Sequence, residues 1–218
     1  HNYLMPLDCA LVKNKIPPAT VKRLPIYLNC LGNIPKGSQR LSSTKLAELA
    51  KVKPAQVRRD LSYLGTLGTR GVGYEISTLR SQLRIELGLG QGWNAVIVGA
   101  GNLGTALAQY RGFEEKGFVI VGLYDTDEKK ISSKITGLTV RPVEKIKEDF
   151  KSLPVAIGII ATPAEFAQET AINLVDAGVK SILNFAPIRI DNIGDVQTRN
   201  VDLSQELQVL SYYLDRDL

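Results

Sequence analysis

Three glycines in the middle of the chain are the first residues that indicate chemistry, because Gly99-x-Gly101-x-x-Gly104 is the spacing of a phosphate-binding turn. A run rich in Val and Ile precedes them, and an apolar, helix-forming run follows. In that setting Gly99 permits a tight turn, Gly101 lets a pyrophosphate approach the backbone, and Gly104 lets the helix pack closely on the strand. The expected phosphate-binding residues are Gly99, Ala100, Gly101, Asn102, Leu103 and Gly104.

An acidic residue closes the next apolar run, since Asp125 ends the segment FVIVGLYD, 21 residues beyond Gly104. An acid at the end of the second strand of a dinucleotide-binding unit accepts a hydrogen bond from the ribose 2′-hydroxyl and repels a 2′-phosphate. The sequence therefore favours NAD(H) over NADP(H), although Lys129 and Lys130 nearby act in the opposite sense. The alternative is an α/β unit whose glycine turn begins a helix and binds no ligand.

Further candidates lie at the ends of later strands. The segments VAIGIIAT, AEFAQETAINLVDAG and VKSILNFAP alternate strand and helix patterns, so a doubly wound parallel sheet is expected. Such sheets bind ligands at their carboxyl edge, and core packing is the alternative for the apolar residues there. The residues expected around the nicotinamide are Ala161, Thr162, Pro163, Asn184, Phe185, Ala186 and Pro187.

The residues that a dehydrogenase commonly uses for proton transfer are missing. His1 is the only histidine, and no tyrosine is followed by a lysine four positions later. Cys9 and Cys30 lack Cys-x-x-Cys spacing, so neither a metal site nor a disulfide framework is expected. A protein that binds a nicotinamide cofactor without the residues to catalyse a reaction with it is expected to be a sensor. A dehydrogenase with an appended basic module and a CoA-binding protein of similar fold are the alternatives.

Positive charge is concentrated ahead of this unit. Residues 1–92 contain 14 Lys and Arg and 5 Asp and Glu, a net +9, whereas residues 93–218 contain 13 and 17, a net −4. A solvated basic surface is one explanation and a nucleic-acid partner is the other. The run LSSTKLAELAKVKPAQVRRDLSYLG favours nucleic acid, because it predicts two short helices joined by a tight turn, with Pro54 at the first position of the second helix.

The second helix of such a helix-turn-helix enters the major groove, where Gln and Arg suit adenine and guanine. In the first helix, Leu46, Leu49 and Ala50 are expected on the buried face. The glycine-rich segment GTLGTRGVGY predicts a wing with Arg70 at its tip, suited to a narrow A·T-rich minor groove. The predicted DNA-binding residues are Ser42, Ser43, Lys53, Gln56, Arg58, Arg59, Arg70 and Tyr74.

The first and last helices carry open alternatives. TVKRLPIYLNCLGNI predicts the first helix of the basic unit, and Pro25 within it predicts either a helix start near that residue or a kink. NVDLSQELQVLSYYLDRDL predicts a short strand and then a helix with Leu207, Leu210 and Leu214 on one face. This last helix is expected either in the core or exchanged with a second subunit.

The segments KRLPIYL, VRRDLSYLGTLGTRGVGY, GAGNLG and ILNFAP, in this order and spacing, resemble the bacterial Rex family of redox-sensing transcriptional repressors. The resemblance covers almost the whole chain from about Pro17. It implies a homodimer that binds an A·T-rich palindromic operator in double-stranded DNA. It also implies that NADH, with NAD⁺ as competitor, binds the Rossmann domain and releases the operator.

The resemblance also implies roles for single residues. It implies DNA contacts for Arg58, Arg59 and Arg70. It implies that three residues switch the protein between its DNA-binding and NADH-bound arrangements, and that one of them, the tyrosine, also borders the cofactor. These switch residues are Arg23, Tyr110 and Asp202. Leu203 departs from the pattern, because an aromatic residue follows the matching aspartate in some relatives.

The expected fold class is α/β, with a winged helix-turn-helix domain at 17–88, a linker at 89–93, a Rossmann-type doubly wound sheet at 94–203 and a dimerisation helix at 204–218. Residues 1–16 are expected to be an extension of native or cloning origin. No apolar run reaches the roughly 20 residues that a membrane helix needs. Together with a DNA partner, this predicts a cytoplasmic protein without a membrane partner.

Overall fold

The computed structural model describes residues 16–35, 37–65, 68–69 and 71–214. The chain divides into two compact units, with the boundary between Gly90 and Gln91. Among the described residues, no helix combines the length and the apolar character needed to cross a membrane.

The first unit contains four helices and a small three-stranded antiparallel sheet. The helices are α1 (Pro18–Gly32), α2 (Ser43–Ala50), α3 (Pro54–Ser62) and α4 (Ile76–Glu86), and the strands are β1 (Arg40–Leu41), β2 (Gly68–Thr69) and β3 (Gly73–Glu75). Strand β3 pairs with both β1 and β2. Helices α2 and α3 followed by the β2–β3 hairpin form the winged helix-turn-helix.

Local sequence explains where α2 and α3 begin. The Ser42 side chain accepts a hydrogen bond from the Lys45 N–H, so Ser42 rather than Ser43 caps α2. Pro54 opens α3, where its missing N–H costs nothing. The predicted buried face of α2 is wrong at one position: Leu49 is 42% exposed, and Ala47 takes the buried place because it lies one residue after Leu46 and three before Ala50.

Pro25 lies inside α1, which begins seven residues earlier at Pro18. Of the two alternatives predicted for Pro25, a helix start near that residue is therefore wrong. Leu24, Tyr27 and Leu31 are buried and lie on one helical face. Their packing on the core of the first unit offsets the roughly 3 kcal/mol that an interior proline costs.

The second unit is built on a seven-stranded sheet. Its strands are β4 (Trp93–Val98), β5 (Phe118–Asp125), β6 (Lys134–Ile135), β7 (Leu138–Pro142), β8 (Ile157–Ile160), β9 (Ser181–Asn184) and β10 (Gln197–Asn200). Its helices are α5 (Asn102–Gln109), α6 (Ile146–Ser152), α7 (Ala164–Asp176) and α8 (Leu203–Leu214), with short 3₁₀ helices at Glu114–Lys116 and Val143–Lys145.

The strand order β10-β9-β8-β4-β5-β7-β6 is that of a Rossmann sheet with an added edge strand. From β4 the chain adds parallel strands first on one side of the sheet (β5, β7) and then on the other (β8, β9, β10). The switch point therefore lies between β4 and β8, where such sheets bind ligands. Strand β6 runs antiparallel to β7, which the sequence interpretation did not include. Thr136 and Gly137 connect the two strands with positive φ values of 53° and 84°, as a two-residue hairpin turn requires.

Strand β4 is buried on both faces. Ala95 and Ile97 belong to the core beneath α5, whereas Val96 and Val98 belong to the core beneath α6 and α7. Alternate residues of a strand point to opposite faces, so one apolar run supplies both cores. This arrangement is the doubly wound fold expected from the sequence.

Helix α8 has no buried residue between Leu203 and Leu214. Leu207, Leu210 and Leu214 are 67%, 58% and 71% exposed. The interpretation of this helix as a core helix is therefore wrong for a single chain. Its apolar residues therefore form an exposed surface on the described part of the second unit.

Candidate functional site

A cavity of about 550 Å³ lies at the carboxyl edge of the Rossmann sheet. The predicted residues that line it are Gly99, Gly101, Asn102, Leu103, Asp125, Ala161, Thr162, Pro163, Phe185 and Pro187. Those that do not are Ala100, Gly104, Tyr110, Asn184 and Ala186. The sequence interpretation missed other lining residues from α6 and α7, because no motif marks the inward face of a helix. Among them are Ile146, Phe166, Glu169 and Asn173.

The three glycines of the turn serve three different needs. Gly99 has φ +104°, and a Cβ there would lie 2.5 Å from the Ala161 carbonyl oxygen. A Cβ at Gly104 would overlap the Gly99 carbonyl oxygen, so this glycine lets α5 pack on β4. A Cβ at Gly101 would meet no protein atom within 4 Å. The space in front of Gly101 is open toward the cavity, as the approach of a phosphate requires.

The first turn of α5 faces the same space. Gly101 is its N-cap and supplies no side chain, so the first amides of the helix have no capping group. Amides at a helix N-terminus bind phosphate groups. The turn and the helix together fit a pyrophosphate.

Asp125 ends β5 and is only 7% exposed. Its Oδ2 accepts hydrogen bonds from the Ala100 N–H at 2.7 Å and Lys130 Nζ at 3.2 Å, and its Oδ1 accepts one from the Asp127 N–H at 2.8 Å. Burial raises the pKa of this carboxyl, but these hydrogen bonds outweigh it and hold the pKa below its usual value. The site therefore presents a carboxylate anion that also clamps the glycine turn.

Thr162 supplies an unpaired polar group to the cavity. Its Oγ1 is buried and has no hydrogen-bond partner among the described residues. Buried hydroxyl groups are nearly always hydrogen-bonded in folded proteins. A polar atom of a bound molecule would satisfy it.

Asn184 is fully buried and holds the loop after β9 in place. Its Nδ2 donates to the Ile188 carbonyl at 2.7 Å and to Asn200 Oδ1 at 3.0 Å, and its Oδ1 accepts from the Ala186 N–H at 3.0 Å. These bonds fix the loop that carries Phe185 into the cavity. Asn184 positions this wall and does not itself line the cavity.

Tyr110 follows α5 and lies away from the dinucleotide cavity. It is 58% exposed and packs edge-on against Phe113, with ring centroids 5.1 Å apart. Both rings line a second, largely apolar cavity of about 420 Å³ on the α5 face of the sheet, together with Ile157 and Leu183. The structure thus separates Tyr110 from the other predicted cofactor residues.

The first unit has a groove between α3 and the β2–β3 hairpin and, among the described residues, Arg58 is the charged one that lines it. This space of about 750 Å³ is lined by several predicted DNA-binding residues, namely Ser42, Ser43, Arg58 and Tyr74. Arg58 donates a hydrogen bond to Ser43 Oγ at 3.2 Å, and both Arg58 and Arg59 are exposed. Lys53 is exposed at the N-cap of α3. Arg70 lies outside the described residues.

A buried carboxylate on the inner face of α3 is the main feature that the sequence interpretation missed. Asp60 is fully buried and accepts hydrogen bonds from Thr20 Oγ1 at 2.8 Å and Tyr27 OH at 2.7 Å. Arg23 binds it in a bidentate pair at 2.6 and 2.8 Å, and Gln56 Nε2 donates to it at 2.9 Å. An acid placed within the apolar stripe of a basic helix was the available signal.

The Asp60 network fixes charge states as well as geometry. Burial raises the pKa of Asp60, but its hydrogen bonds, the largest from Arg23, more than reverse this and hold the pKa well below the usual value. Burial and the bond to Asp60 raise the pKa of Tyr27. The network joins α1 to α3 and already uses the amide nitrogen of Gln56, which was predicted to read DNA.

The predicted switch residues have separate partners within the chain. Arg23 pairs with Asp60 in the first unit. In the second unit, Asp202 Oδ1 accepts hydrogen bonds from the Ser204 N–H at 2.9 Å and the Ser204 hydroxyl at 2.6 Å, ahead of α8. No group of three or more His, Cys, Asp or Glu side chains arranged for a metal occurs in the part of the chain that the structure describes.

A basic winged-helix unit and a Rossmann unit with a dinucleotide cavity define a class of ligand-responsive DNA-binding proteins. Two family models match the chain: "Putative DNA-binding protein N-terminus" over residues 15–62 and "CoA binding domain" over residues 91–188. The redox-sensing transcriptional repressor Rex of Carboxydothermus hydrogenoformans is 49% identical over 93% of this chain and 98% of its own length. The chain belongs to the Rex family of redox-sensing transcriptional repressors.

Other relatives agree in sequence and structure. The Rex repressor of Streptomyces coelicolor is 46% identical over 92% of this chain and 78% of its own. The crystal structure of RSP in complex with β-NAD⁺ and operator DNA matches with a TM-score of 0.86 and 38% identity, covering 93% of this chain and 94% of that one. The structure of RSP in complex with β-NADH matches with a TM-score of 0.84 and 37% identity, covering 93% of this chain and 96% of that one. The predicted family and fold class are confirmed, and the relatives are named as repressors, not as enzymes.

Proposed function

We propose that this protein binds an A·T-rich palindromic operator as a homodimer and releases it when NADH binds. The observation that carries the proposal is the free space in front of Gly101 in the glycine turn. Gly101 and Asp125, which ends β5, line the same cavity. The matching structures of RSP with NAD⁺, with NADH and with operator DNA support it. A protein that binds chromosomal operators acts in the bacterial cytoplasm.

The cavity should favour NADH over NAD⁺. Oxidised nicotinamide carries a positive charge that the reduced ring lacks, and burying an unpaired charge among apolar groups is costly. Phe185 and Pro187 line the cavity where nicotinamide is expected, and the hydroxyl of Thr162 offers a hydrogen bond to its amide group. NAD⁺ is then the weaker competitor.

We propose that α3 reads the major groove with Arg59 and that the groove beside it receives the DNA backbone. Arg59 is exposed near the middle of α3, and Arg58, Ser42 and Ser43 border the groove. Hydrogen bonds from hydroxyl and guanidinium groups to phosphates set the register of a protein on DNA. Lys53, Tyr74 and Arg70 complete the proposed interface, with Arg70 reading an A·T-rich minor groove.

The homodimer we propose is formed by α8, which packs on the second copy. Leu207, Leu210 and Leu214 are exposed in the single chain. The apolar cavity beside Tyr110 and Phe113 offers a complementary surface on the sheet. Exchange of α8 between two copies would bury both surfaces and place Tyr110 at the subunit boundary.

The switch we propose depends on a difference in NADH affinity between two arrangements of the dimer. A coupling of roughly 1 to 3 kcal/mol changes operator affinity about 5- to 150-fold. Arg23, Tyr110 and Asp202 are the proposed switch residues. Rotation of the subunits would change the distance between the two α3 helices, which must lie one DNA turn apart, about 34 to 36 Å.

Calorimetry with NADH, NAD⁺, NADPH and CoA, combined with operator binding across NADH/NAD⁺ ratios, tests the proposal. We expect NADH to bind more tightly than NAD⁺ and to lower operator affinity. The "CoA binding domain" match makes CoA the necessary competitor. CoA saturation without a response to NADH would support the CoA-binding alternative, and steady NADH consumption with a carbonyl substrate would support a dehydrogenase.

A further inference from the structure

We propose that Asp149 is a positioning residue for the adenosine half of the dinucleotide cavity, because its contacts with two strands hold α6 in place. The inference rests on the proposed function, since it concerns the affinity of the same site. Asp149 does not line the cavity. It acts through Ile146, which lies one turn earlier on α6 and does line it.

Helix α6 and the 3₁₀ helix before it form the cavity wall beside Asp125. Asp125 lies opposite Pro142 in the pairing of β5 with β7, and Val143 and Ile146 follow Pro142 and line the cavity. The acid at the end of the second strand of such a unit binds the adenosine ribose. The adenosine half is therefore expected against Val143 and Ile146, whose apolar side chains suit the flat face of an adenine ring.

The position of α6 depends on tertiary contacts. The helix has seven residues, and no side chain caps its first turn. Helices of fewer than about 12 residues are marginal by themselves in water. Ile146 is buried in the core, and Phe150 packs edge-on against Tyr124, with ring centroids 6.3 Å apart. These apolar contacts keep α6 on the sheet, but apolar packing is not directional and does not fix where along the strands the helix lies.

Asp149 supplies the directional contacts. Its Oδ2 accepts a hydrogen bond from the hydroxyl of Tyr124 on β5 at 3.0 Å, and its Oδ1 pairs with Nη2 of Arg141 on β7 at 2.8 Å. Its side chain is only 13% exposed, so a displacement of α6 that broke these contacts would leave a mostly buried carboxylate without partners. Burial and the bond to Asp149 raise the pKa of Tyr124, so its hydroxyl stays protonated and remains a donor.

Tyr27 provides a matched control in the first unit. It is another buried tyrosine whose hydroxyl donates to a carboxylate, at 2.7 Å from Asp60 Oδ2. It does not line the dinucleotide cavity. A general effect of lost stability on ligand binding would be similar for both tyrosines, whereas a role in positioning α6 would appear at Tyr124 alone.

The experiment measures the dissociation constants of ADP-ribose, NADH and NAD⁺ by calorimetry for the wild-type protein, Tyr124→Phe and Tyr27→Phe, with urea denaturation to compare their free energies of unfolding. Tyr124→Phe should raise all three constants by the same factor, about fivefold, because the three ligands share the adenosine half. The ratio of the NADH and NAD⁺ constants should therefore stay at the wild-type value. Tyr27→Phe should change each constant by less than about 1.5-fold.

Arg141→Met tests the second contact without changing a buried side chain. It should raise the ADP-ribose constant about twofold, because Arg141 is half exposed and its ion pair is weaker than a buried one. Lys151→Met removes the same charge from an exposed position on α6 and is its control. An equal increase in both variants would show an effect of net charge and would overturn the role of the Arg141 contact.

Three further results would overturn the inference: an unchanged ADP-ribose constant in Tyr124→Phe, equal increases in the two tyrosine variants, or an altered ratio of the NADH and NAD⁺ constants in Tyr124→Phe. If Tyr124→Phe does not fold, an unchanged ADP-ribose constant in Arg141→Met overturns the inference, and an increase there beyond that in Lys151→Met supports it. Each of these results leaves NADH binding by the wild-type protein, and thus the proposed function, intact. Absence of NADH binding in the wild-type protein would instead overturn the proposed function together with the inference.

Discussion

Asp60 shows how one residue can hold two helices together. Four of its five hydrogen bonds join α1 to the α3 helix that we propose reads DNA, and the fifth comes from Gln56 within α3. Asp60→Asn should lower the free energy of unfolding by about 2 to 4 kcal/mol, because it leaves Arg23 without its partner anion. Urea denaturation measures this, with Glu48→Gln, at an exposed ion pair, as the control expected to change it by less than about 0.5 kcal/mol.

The same network gives stability a defined pH dependence. The folded pKa of Asp60 is depressed, so its contribution is fully present above the unfolded value of about 3.9 and is lost as the pH falls through the lower folded value. The wild-type protein should lose this contribution in acid below about pH 4, whereas Asp60→Asn should not. Equal acid sensitivity of the two proteins would show that Asp60 is not ionised in the native state.

Arg59 is the residue that tests the orientation of α3. Arg59→Ala should weaken operator binding by about 1 to 3 kcal/mol if the side chain reads a base, with NADH affinity unchanged. Electrophoretic mobility shifts with the operator and with a scrambled duplex separate base reading from phosphate contact. Arg84→Ala removes the same charge from α4 and is the control. An equal loss on both duplexes would contradict base reading by Arg59.

At the scale of elements, α8 is the helix whose exposed apolar face we propose packs on a second copy. Adding charge to its apolar face with Leu207→Glu and Leu210→Glu should convert the proposed dimer to a monomer. Tight operator binding should then be lost, because a monomer contacts one half-site at a time. Sedimentation measures the change. Gln205→Glu with Gln208→Glu adds the same charge on the other side of α8, and a monomer there would contradict the proposed packing face.

The elements also show why the sequence predicted some features and not others. The glycine turn and Asp125 were predictable, because local sequence marks each of them: the spacing of the glycines, and an acid that ends an apolar run. Burial of Asp60 was not, because it depends on α1 and α3 meeting. The Pro25 start was wrong for the same reason: packing of α1 on the core outweighs a local penalty.

For the whole molecule, the sensor depends on two units that can be changed separately. Gly101→Val should leave the protein folded, since a Cβ there meets no protein atom within 4 Å, while its side chain occupies the space of the pyrophosphate. Operator binding should stay at the wild-type level and should no longer respond to NADH, which mobility shifts across an NADH titration will show. Gly104→Val is the contrasting variant, because its Cβ would overlap the Gly99 carbonyl and disturb the fold itself. Release of the operator from Gly101→Val at the wild-type NADH concentration would place the NADH site elsewhere.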